Sequence, residues 1–395
     1  MMKPIKRLSA ADYDHIFELS QFAFQYTLSK EERKQKQEEA QRHVIWGVMD
    51  GGQIAAKLHL IPLSCYINGQ PFEMGGISSV ATWPEYRRKG YAKELLHHVL
   101  IQMRKKGQTI SFLHPFSVPF YRKFGWEVVF TNKKYELPLD CVRKKWNGKG
   151  YVERVGKEIP LLQSIYSAFA KGYTGMLVRD EKWWEQRVFQ KKWEVVVAKN
   201  TAQEAEGYII YKVAGNELTI KEIVCKTNNG RKLLLEFIGN HDSMAEKVHV
   251  TVPENDPIPL LIDEPRFTQI IKPYFMARIV DVWQFLKRYP YEKWGCEQSA
   301  SVILHVEDSF LPENNGLFQL KRTGEGVSVD VVKDVTKAEE KLIIHCSIQW
   351  LTAMFLGYKR PKELAQLSFI QGEMSTIDHL EQFIAKQQPF FADFF

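Results

Sequence analysis

The chain has few cysteines, no long apolar run and no block of charge of one sign. Its five cysteines (Cys65, Cys141, Cys225, Cys296 and Cys346) lie far apart among 395 residues. An odd number with no Cys-x-x-Cys pair suggests neither a disulfide framework nor a zinc site, and no metal is expected. Buried free thiols in a reducing compartment are the expectation. The longest apolar stretches, such as Trp350-Leu-Thr-Ala-Met-Phe-Leu356, fall far short of the roughly 20 residues that cross a bilayer. The first residues, Met-Met-Lys-Pro-Ile-Lys-Arg-Leu-Ser, lack the apolar core of a secretory signal. A cytoplasmic protein without membrane association is expected. The net charge of +7 comes from 54 basic and 47 acidic residues. With no long basic run, it calls for no nucleic acid; a basic turn for an anionic cofactor accounts for part of the excess.

What is present is ample apolar material, 45% of the chain, over a length that suggests two or three domains. The most informative stretch is Val80-Ala-Thr-Trp-Pro-Glu-Tyr-Arg-Arg-Lys-Gly-Tyr-Ala92. It has the form of a strand end, a basic turn and a helix start. Ala92, Leu95, Leu96, Val99, Leu100 and Met103 recur at helical spacing and define one buried face. Arg104, Lys105 and Lys106 suit the end of that helix, and Gly107 stops it. A helix N-terminus carries unpaired N–H groups and partial positive charge, so it attracts phosphate. Gly90 is expected there because a Cβ would block close approach of the backbone.

The flanking segments Gly75–Ala81 and Thr109–His114 read as parallel strands joined by this helix in a right-handed crossover. Then comes Pro115-Phe-Ser-Val-Pro-Phe-Tyr-Arg-Lys-Phe-Gly125. It reads as a short helix with Ser117 at the N-cap, Pro119 in the first turn and Gly125 at the end. Tyr121 lies in its middle.

Three units are expected, at residues 1–150, 151–285 and 286–395. In the first, Asp50-Gly51 marks a hairpin, Lys133–Leu139 a closing strand and Trp146–Gly150 a boundary. Residues 151–285 read as a worn repeat of the first unit. Their strand Leu218–Cys225 leads through Thr227-Asn-Asn-Gly230 into a helix carrying Leu233, Leu234, Phe237 and Ile238. Thr227 stands where Arg87 stands and Lys232 where Ala92 stands, so the phosphate chemistry is gone. The third unit offers strands and then helices, an α+β pattern.

Arg87-x-x-Gly90-x-Ala92 resembles the Arg/Gln-x-x-Gly-x-Gly/Ala turn of the GCN5-related N-acetyltransferases. Phe120-Tyr-Arg-Lys-Phe-Gly-Trp126 resembles their tyrosine segment. Gln349-Trp-Leu-Thr-Ala-Met-Phe-Leu-Gly357 resembles a helix of sterol-carrier-like domains. With Val80-Ala-Thr, the Met276-Ala-Arg-Ile-Val-Asp-Val282 junction and the aromatic C-terminus, the whole chain resembles the Eis (enhanced intracellular survival) family. The resemblance implies two acetyltransferase-like domains, each a mixed sheet with flanking helices, and a sterol-carrier-protein-2-like α+β domain. It implies an N-acetyltransferase that uses acetyl-CoA, and a homo-oligomer, a hexamer.

By the same resemblance the coenzyme is held by Val80, Ala81, Thr82, Arg87, Arg88, Lys89, Gly90, Tyr91 and Ala92, with Phe116 and Ser117 beside the pantetheine. Tyr121 becomes the general acid and the carboxylate of Phe395 the general base. A carboxylate of reference pKa about 3.5 is a poor base in water, but packing among Phe390, Phe391, Phe394 and Phe395 would raise it. The implied acceptor is a primary amine of a cationic molecule, an aminoglycoside-like compound or a lysine side chain. The family's acidic penultimate residue is replaced by Phe394, and alternation along the tail points Asp393 the same way as Phe395. Phe22, Phe24 and Tyr26 are candidates for the acceptor pocket, whereas His97 and His98 read as structural or solvated. The alternative is a non-catalytic protein that binds acyl-CoA or lipid through the sterol-carrier-like domain.

Overall fold

The computed structural model describes residues 3–189, 192–292, 300–324 and 326–395. The first domain runs β1 (Ile5–Leu8), α1 (Tyr13–Phe24), α2 (Lys30–Ala40), β2 (Val44–Asp50), β3 (Gln53–Ile67), β4 (Gln70–Thr82), α3 (Tyr91–Lys105), β5 (Ile110–Leu113), α4 (Val118–Arg122) and β6 (Glu127–Val128). α2 begins where the Ser29 hydroxyl accepts from the Glu32 N–H and the Glu32 carboxylate accepts from the Ser29 N–H, a capping box that satisfies two orphan donors. α3 buries Leu95, Leu96, Val99, Leu100 and Met103 against β3 and β4. Ala92 is only half-buried; Tyr91 takes the deeper place and its hydroxyl donates to Asp50 at 3.2 Å.

The second domain begins with β7 (Thr131–Pro138) and continues through β8 (Tyr151–Val155), a helix at Ile159–Ala170, β9 (Glu194–Lys199), β10 (Ala205–Ala214), β11 (Glu217–Cys225), a helix at Asn228–Gly239, β12 (Lys247–Val252) and β13 (Thr268–Pro273). β14 (Met276–Ile279) then returns to the first sheet. The two seven-stranded sheets are ordered β1-β2-β3-β4-β5-β14-β6 and β13-β7-β12-β11-β10-β9-β8.

The segment expected to close the first sheet is therefore a strand of the second. β7 lies antiparallel between β12 and β13, and it buries Tyr135 and Leu137 with the inner face of β12. All four residues of β14 are buried, which suits an interior strand covered on both faces. The sheets cannot part without unpairing a strand from each.

β14 also carries Arg278, fully buried. Its guanidinium pairs with Asp308 of the third domain and donates to the Phe124 carbonyl of the first. A Cβ at Gly125 would lie 1.9 Å from this guanidinium, and Gly125 has φ +87°. Space and backbone conformation both demand glycine there.

The third domain contains a helix at Val282–Arg288, β15 (Ser301–Glu307), β16 (Gly316–Thr323), β17 (Gly326–Val332), β18 (Ile343–Ser347), a helix at Ile348–Phe355, β19 (Ile370–Gln371) and a helix at Met374–Phe383. Its sheet is ordered β17-β16-β15-β18-β19. The three sheets with their helices have the mixed α/β and α+β character expected. The last residues run back toward the first two domains. The Thr174 N–H donates to the Gln388 carbonyl and the Phe390 N–H to the Thr174 carbonyl. Phe390, Phe391 and Phe395 enter an apolar cluster that all three domains share, with Phe112, Tyr166 and Leu351 among its members.

Cys65 and Cys346 are buried and Cys141 and Cys225 half-buried, all as free thiols; Cys296 lies outside the described residues. Among the described residues no helix is long and apolar enough to cross a membrane.

Candidate active site

The site begins with a defect in the first sheet. Parallel pairing of β4 with β5 runs from Met74↔Ile110 to Ile77↔Leu113 and stops. β4 continues to Thr82 on β3 alone, with Ser78 opposite His59 and Ala81 opposite Lys57. Ser79 and Val80 therefore face the single residue Leu58, a β-bulge, and Ser79 is held at φ +53°. Where β4 and β5 part, a cavity of about 530 Å³ opens. Val80, Phe116, Tyr121 and Phe395, named from three separate stretches of sequence, all line it. Phe24 and Tyr26 line it too, whereas Phe22 packs on Trp83 at 4.9 Å between rings.

The coenzyme-binding candidates fall into two groups. Ala81 is buried and Thr82 half-buried at the end of β4, while Arg87, Arg88, Lys89 and Gly90 form an exposed turn before α3. Gly90 is the N-cap of α3, at φ +86°, with no side-chain cap. A Cβ there would meet no atom within 4 Å. The left-handed conformation by itself requires glycine, and the face beyond it is open. Lys89 Nζ lies 4.8 Å from the centre of the Tyr86 ring. Ser117 is the N-cap of α4, with its side chain free of any cap bond. Phe116 beside it is 71% exposed.

The second domain supplies the contrast. Thr227 occupies the N-cap of its helix, the position of Gly90 rather than that of Arg87, and its hydroxyl accepts from the Gly230 N–H at 2.9 Å. The threonine fills the helix start that Gly90 leaves open.

Tyr121 is buried on α4, 5.1 Å from the ring of Phe120 and 5.5 Å from that of Phe116. Burial holds its phenol well above the usual value of 10, so it is protonated at neutral pH. Phe395 is 5% exposed. Its ring sits 5.1 Å from Phe275, 5.9 Å from Phe391 and 6.3 Å from Trp183.

Asp393 does not line the cavity. It is buried, bound by Arg179 Nε at 3.1 Å and by the Trp183 indole at 2.8 Å. Arg179 also binds Glu222, and the Tyr274 hydroxyl donates to the Asp393 carbonyl at 2.8 Å. The expectation that Asp393 stands in for an acidic acceptor-binding residue is therefore corrected. Its charge is spent anchoring the tail. His97 is exposed and meets Phe310 edge-on, and His98 is half-buried against Trp46.

The polar wall of the cavity escaped sequence reasoning. It holds Lys36, Glu39, His43, His59 and Arg187. Glu39 pairs with Lys36 at 3.1 Å and with Arg187 at 3.2 Å. Burial, reinforced by the nearby cations, pulls His43 down to about 3 and His59 well below its usual value, so both imidazoles are neutral. Behind them Lys57 is fully buried. The one available signal is Lys57-Leu-His59 inside an otherwise apolar strand, and only the fold joins it to α1, α2 and Arg187.

Comparison with known proteins bears on the same residues. Acetyltransferase (GNAT) domains match residues 4–129 and 175–279, and a sterol carrier protein domain matches residues 282–392. An uncharacterised N-acetyltransferase of Streptomyces griseus is 24% identical over 270 residues, 61% of this chain; the chain spans 64% of that relative's length. N-acetyltransferase Eis of Mycobacterium tuberculosis is 22% identical over 311 residues, covering 73% of this chain and 72% of Eis. The crystal structure of a conserved Enterococcus faecalis V583 protein, described as a probable N-acyltransferase, superposes with a TM-score of 0.92 at 26% identity. That match covers 100% of this chain and 99% of the other.

Proposed function

Since the chain belongs to the Eis family of GCN5-related N-acetyltransferases, with two GNAT domains and a sterol carrier domain in order, we propose that it transfers an acetyl group from acetyl-CoA to a primary amine. One observation carries this reading: Val80, Tyr121 and Phe395 meet on a single cavity at the β4–β5 parting.

The chain's features fit the coenzyme. The open, basic turn at Arg87–Lys89 and the uncapped start of α3 suit a pyrophosphate. Phe116 and Ser117 flank the wedge through which a pantetheine arm would reach the cavity. Bound there, acetyl-CoA supplies an activated thioester.

The residues then divide the work. The carboxylate of Phe395 accepts the proton that an ammonium must lose before its nitrogen can attack. As the C–N bond forms, the Val80 N–H holds the oxygen on which negative charge develops. As the C–S bond breaks, the Tyr121 hydroxyl donates to the departing sulfur and is reprotonated by the second proton that the new amide nitrogen sheds; burial keeps the phenol protonated until then. The products are an amide and free CoA.

The acceptor is a small-molecule or peptide amine. Of the two forms expected, a lysine-like single amine is better supported than an aminoglycoside-like polycation. Asp393 is ion-paired away from the cavity, and Glu39 is already shared between two cations. The wall offers a polycation little beyond the terminal carboxylate, while Phe24, Tyr26, Phe116 and Phe394 suit the methylenes of a lysine-like chain. The family's hexameric assembly and a cytoplasmic setting belong to the same proposal. The lipid-binding alternative finds less support, because Leu351, Met354, Phe355, Leu380 and Phe383 fill the interior of the third domain.

The test is release of free thiol from acetyl-CoA with a panel of amines: lysine peptides, simple alkylamines and aminoglycosides. Amine-dependent release, abolished when two glycines are appended after Phe395, is the expected result. Release that no amine stimulates would refute the proposal.

A further inference from the structure

Lys57 is a buried lysine without an ion pair among the described residues. Its Nζ lies 3.1 Å from the Ser79 carbonyl oxygen, 2.5 Å from the Ser79 hydroxyl and 3.3 Å from His59 Nε2. The Ser79 hydroxyl is also 3.4 Å from that of Ser20 on α1. Burying an amine where a methionine would fill the volume is costly unless it holds something. What Lys57 holds is the bulge at the centre of the site.

The geometry of one peptide unit gives the consequence. The Ser79 carbonyl and the Val80 N–H belong to the same planar trans peptide and point in opposite directions. Lys57 rises from β3, and its Nζ holds the Ser79 carbonyl beside His59 and the Ser79 hydroxyl. The Val80 N–H is then turned away from the Lys57 amine, at the point of β4 where β5 pairing has already ended at Ile77. Ser79 adopts φ +53° to allow this, a left-handed conformation that residues with a Cβ avoid. Bulges of this form usually place glycine there. The Lys57 contacts offset that preference.

We propose that Lys57 is a positioning residue for acetyl transfer: by gripping the Ser79 carbonyl it aims the Val80 N–H into the wedge between β4 and β5, where the thioester oxygen would lie. This rests on the acetyl-transfer reading above. Lys57 does not touch the reacting atoms. It acts through one peptide bond, and it also polarises that amide, because a donor on the carbonyl strengthens the N–H of the same unit. Burial draws Lys57 down to about 7, yet amine and ammonium alike can donate to the carbonyl.

The test uses Lys57→Met, which keeps the volume and loses the donors, and Lys57→Gln, which keeps an N–H donor. In the thiol-release assay Lys57→Met should lower kcat by about 10- to 100-fold, less than outright loss of an oxyanion donor, while the KM for acetyl-CoA stays within about threefold. Lys57→Gln should fall between Met and wild type. Adding Ser79→Gly to Lys57→Met should restore kcat by about threefold or more, because glycine adopts the bulge conformation unaided. A folded Lys57→Met with wild-type kcat, or a double variant no better than the single one, would overturn the proposal.

A further readout needs no turnover. In ¹⁵N-valine-labelled protein the Val80 amide proton should move downfield when the inert ketone analogue acetonyl-CoA binds, and move less in Lys57→Met. Equal shifts would overturn the role of Lys57. A wild-type shift with no transfer to any amine would instead refute the acetyl-transfer reading and leave Lys57 only its aim of the Val80 N–H at a bound carbonyl.

Discussion

Gly76→Ala places a methyl group against the last residue of the chain without altering any group assigned a chemical role. The new Cβ would lie 2.8 Å from Cε2 and 2.9 Å from Cζ of Phe395, and 3.1 Å from Leu63 Cδ1. The ring has little room to recoil, because Phe275, Phe391 and Trp183 surround it. Overpacking of this kind costs about 1–3 kcal/mol. The two closest approaches are to the docked tail and are relieved when it lifts off, leaving only the looser contact with Leu63. The docked-to-undocked ratio should therefore drop by about 5- to 150-fold, at 1.4 kcal/mol per factor of ten. Two measurements separate the steps. Removal of Phe395 by a carboxypeptidase should accelerate, and kcat for thiol release should fall as the docked fraction falls. Unchanged kcat in a variant whose digestion rate shows less than half of the tail still docked would refute the assignment of the Phe395 carboxylate as base. Unchanged digestion would refute the packing.

Other perturbations address the remaining parts. Tyr121→Phe should reduce kcat by about 100-fold or more, as expected on losing a general acid, with unfolding behaviour close to wild type because only the hydroxyl is removed. Arg87→Ala should raise the KM for acetyl-CoA by about 5- to 10-fold in low salt, and the effect should shrink in about 0.5 M salt if the contact is an exposed charge pair. Stability should rise with pH. His43 (about 3 folded against 6.5), His59 and Lys57 (about 7 folded against 10.5) all have folded values below their ordinary ones. The unfolded chain therefore binds more protons, and stability is lost as pH falls, from 10.5 toward 7 for Lys57 and from 6.5 toward 3 for His43. Urea midpoints at pH 5, 7 and 9 should increase, and Lys57→Met should flatten only the step from 7 to 9. A midpoint that falls between pH 5 and 9 would contradict the buried, neutral state of this cluster.

Much of the site could be read along the chain because its parts are local. The turn before α3 and the tyrosine of α4 are each contained in a dozen residues, and their glycines are demanded by backbone conformation at Gly90 and Gly125. The polar wall was not legible, because Lys36, His43, His59 and Arg187 belong to four different segments and nothing in their spacing joins them. Asp393 shows the same limit in reverse. Alternation along an extended tail would point it with Phe395, but Arg179, 214 residues earlier, decides that it meets a cation instead of a substrate. Thr227 reads as a loss of chemistry from sequence alone, although its true counterpart, Gly90, emerges only from the helix start.

The sequence by itself determined the family, the domain order and the local motifs: period-3.6 helix faces, glycine turns and aromatic strings are short-range consequences of side-chain size and backbone freedom. Only the tertiary structure decided that β7 and β14 trade sheets, that the bulge at Ser79 rests on a buried lysine, and that Arg179 and Trp183 anchor the tail through Asp393. Those outcomes depend on which distant surfaces bury each other best. Strand exchange satisfies backbone hydrogen bonds and covers β14 on both faces, and no local pattern encodes which partner will be there.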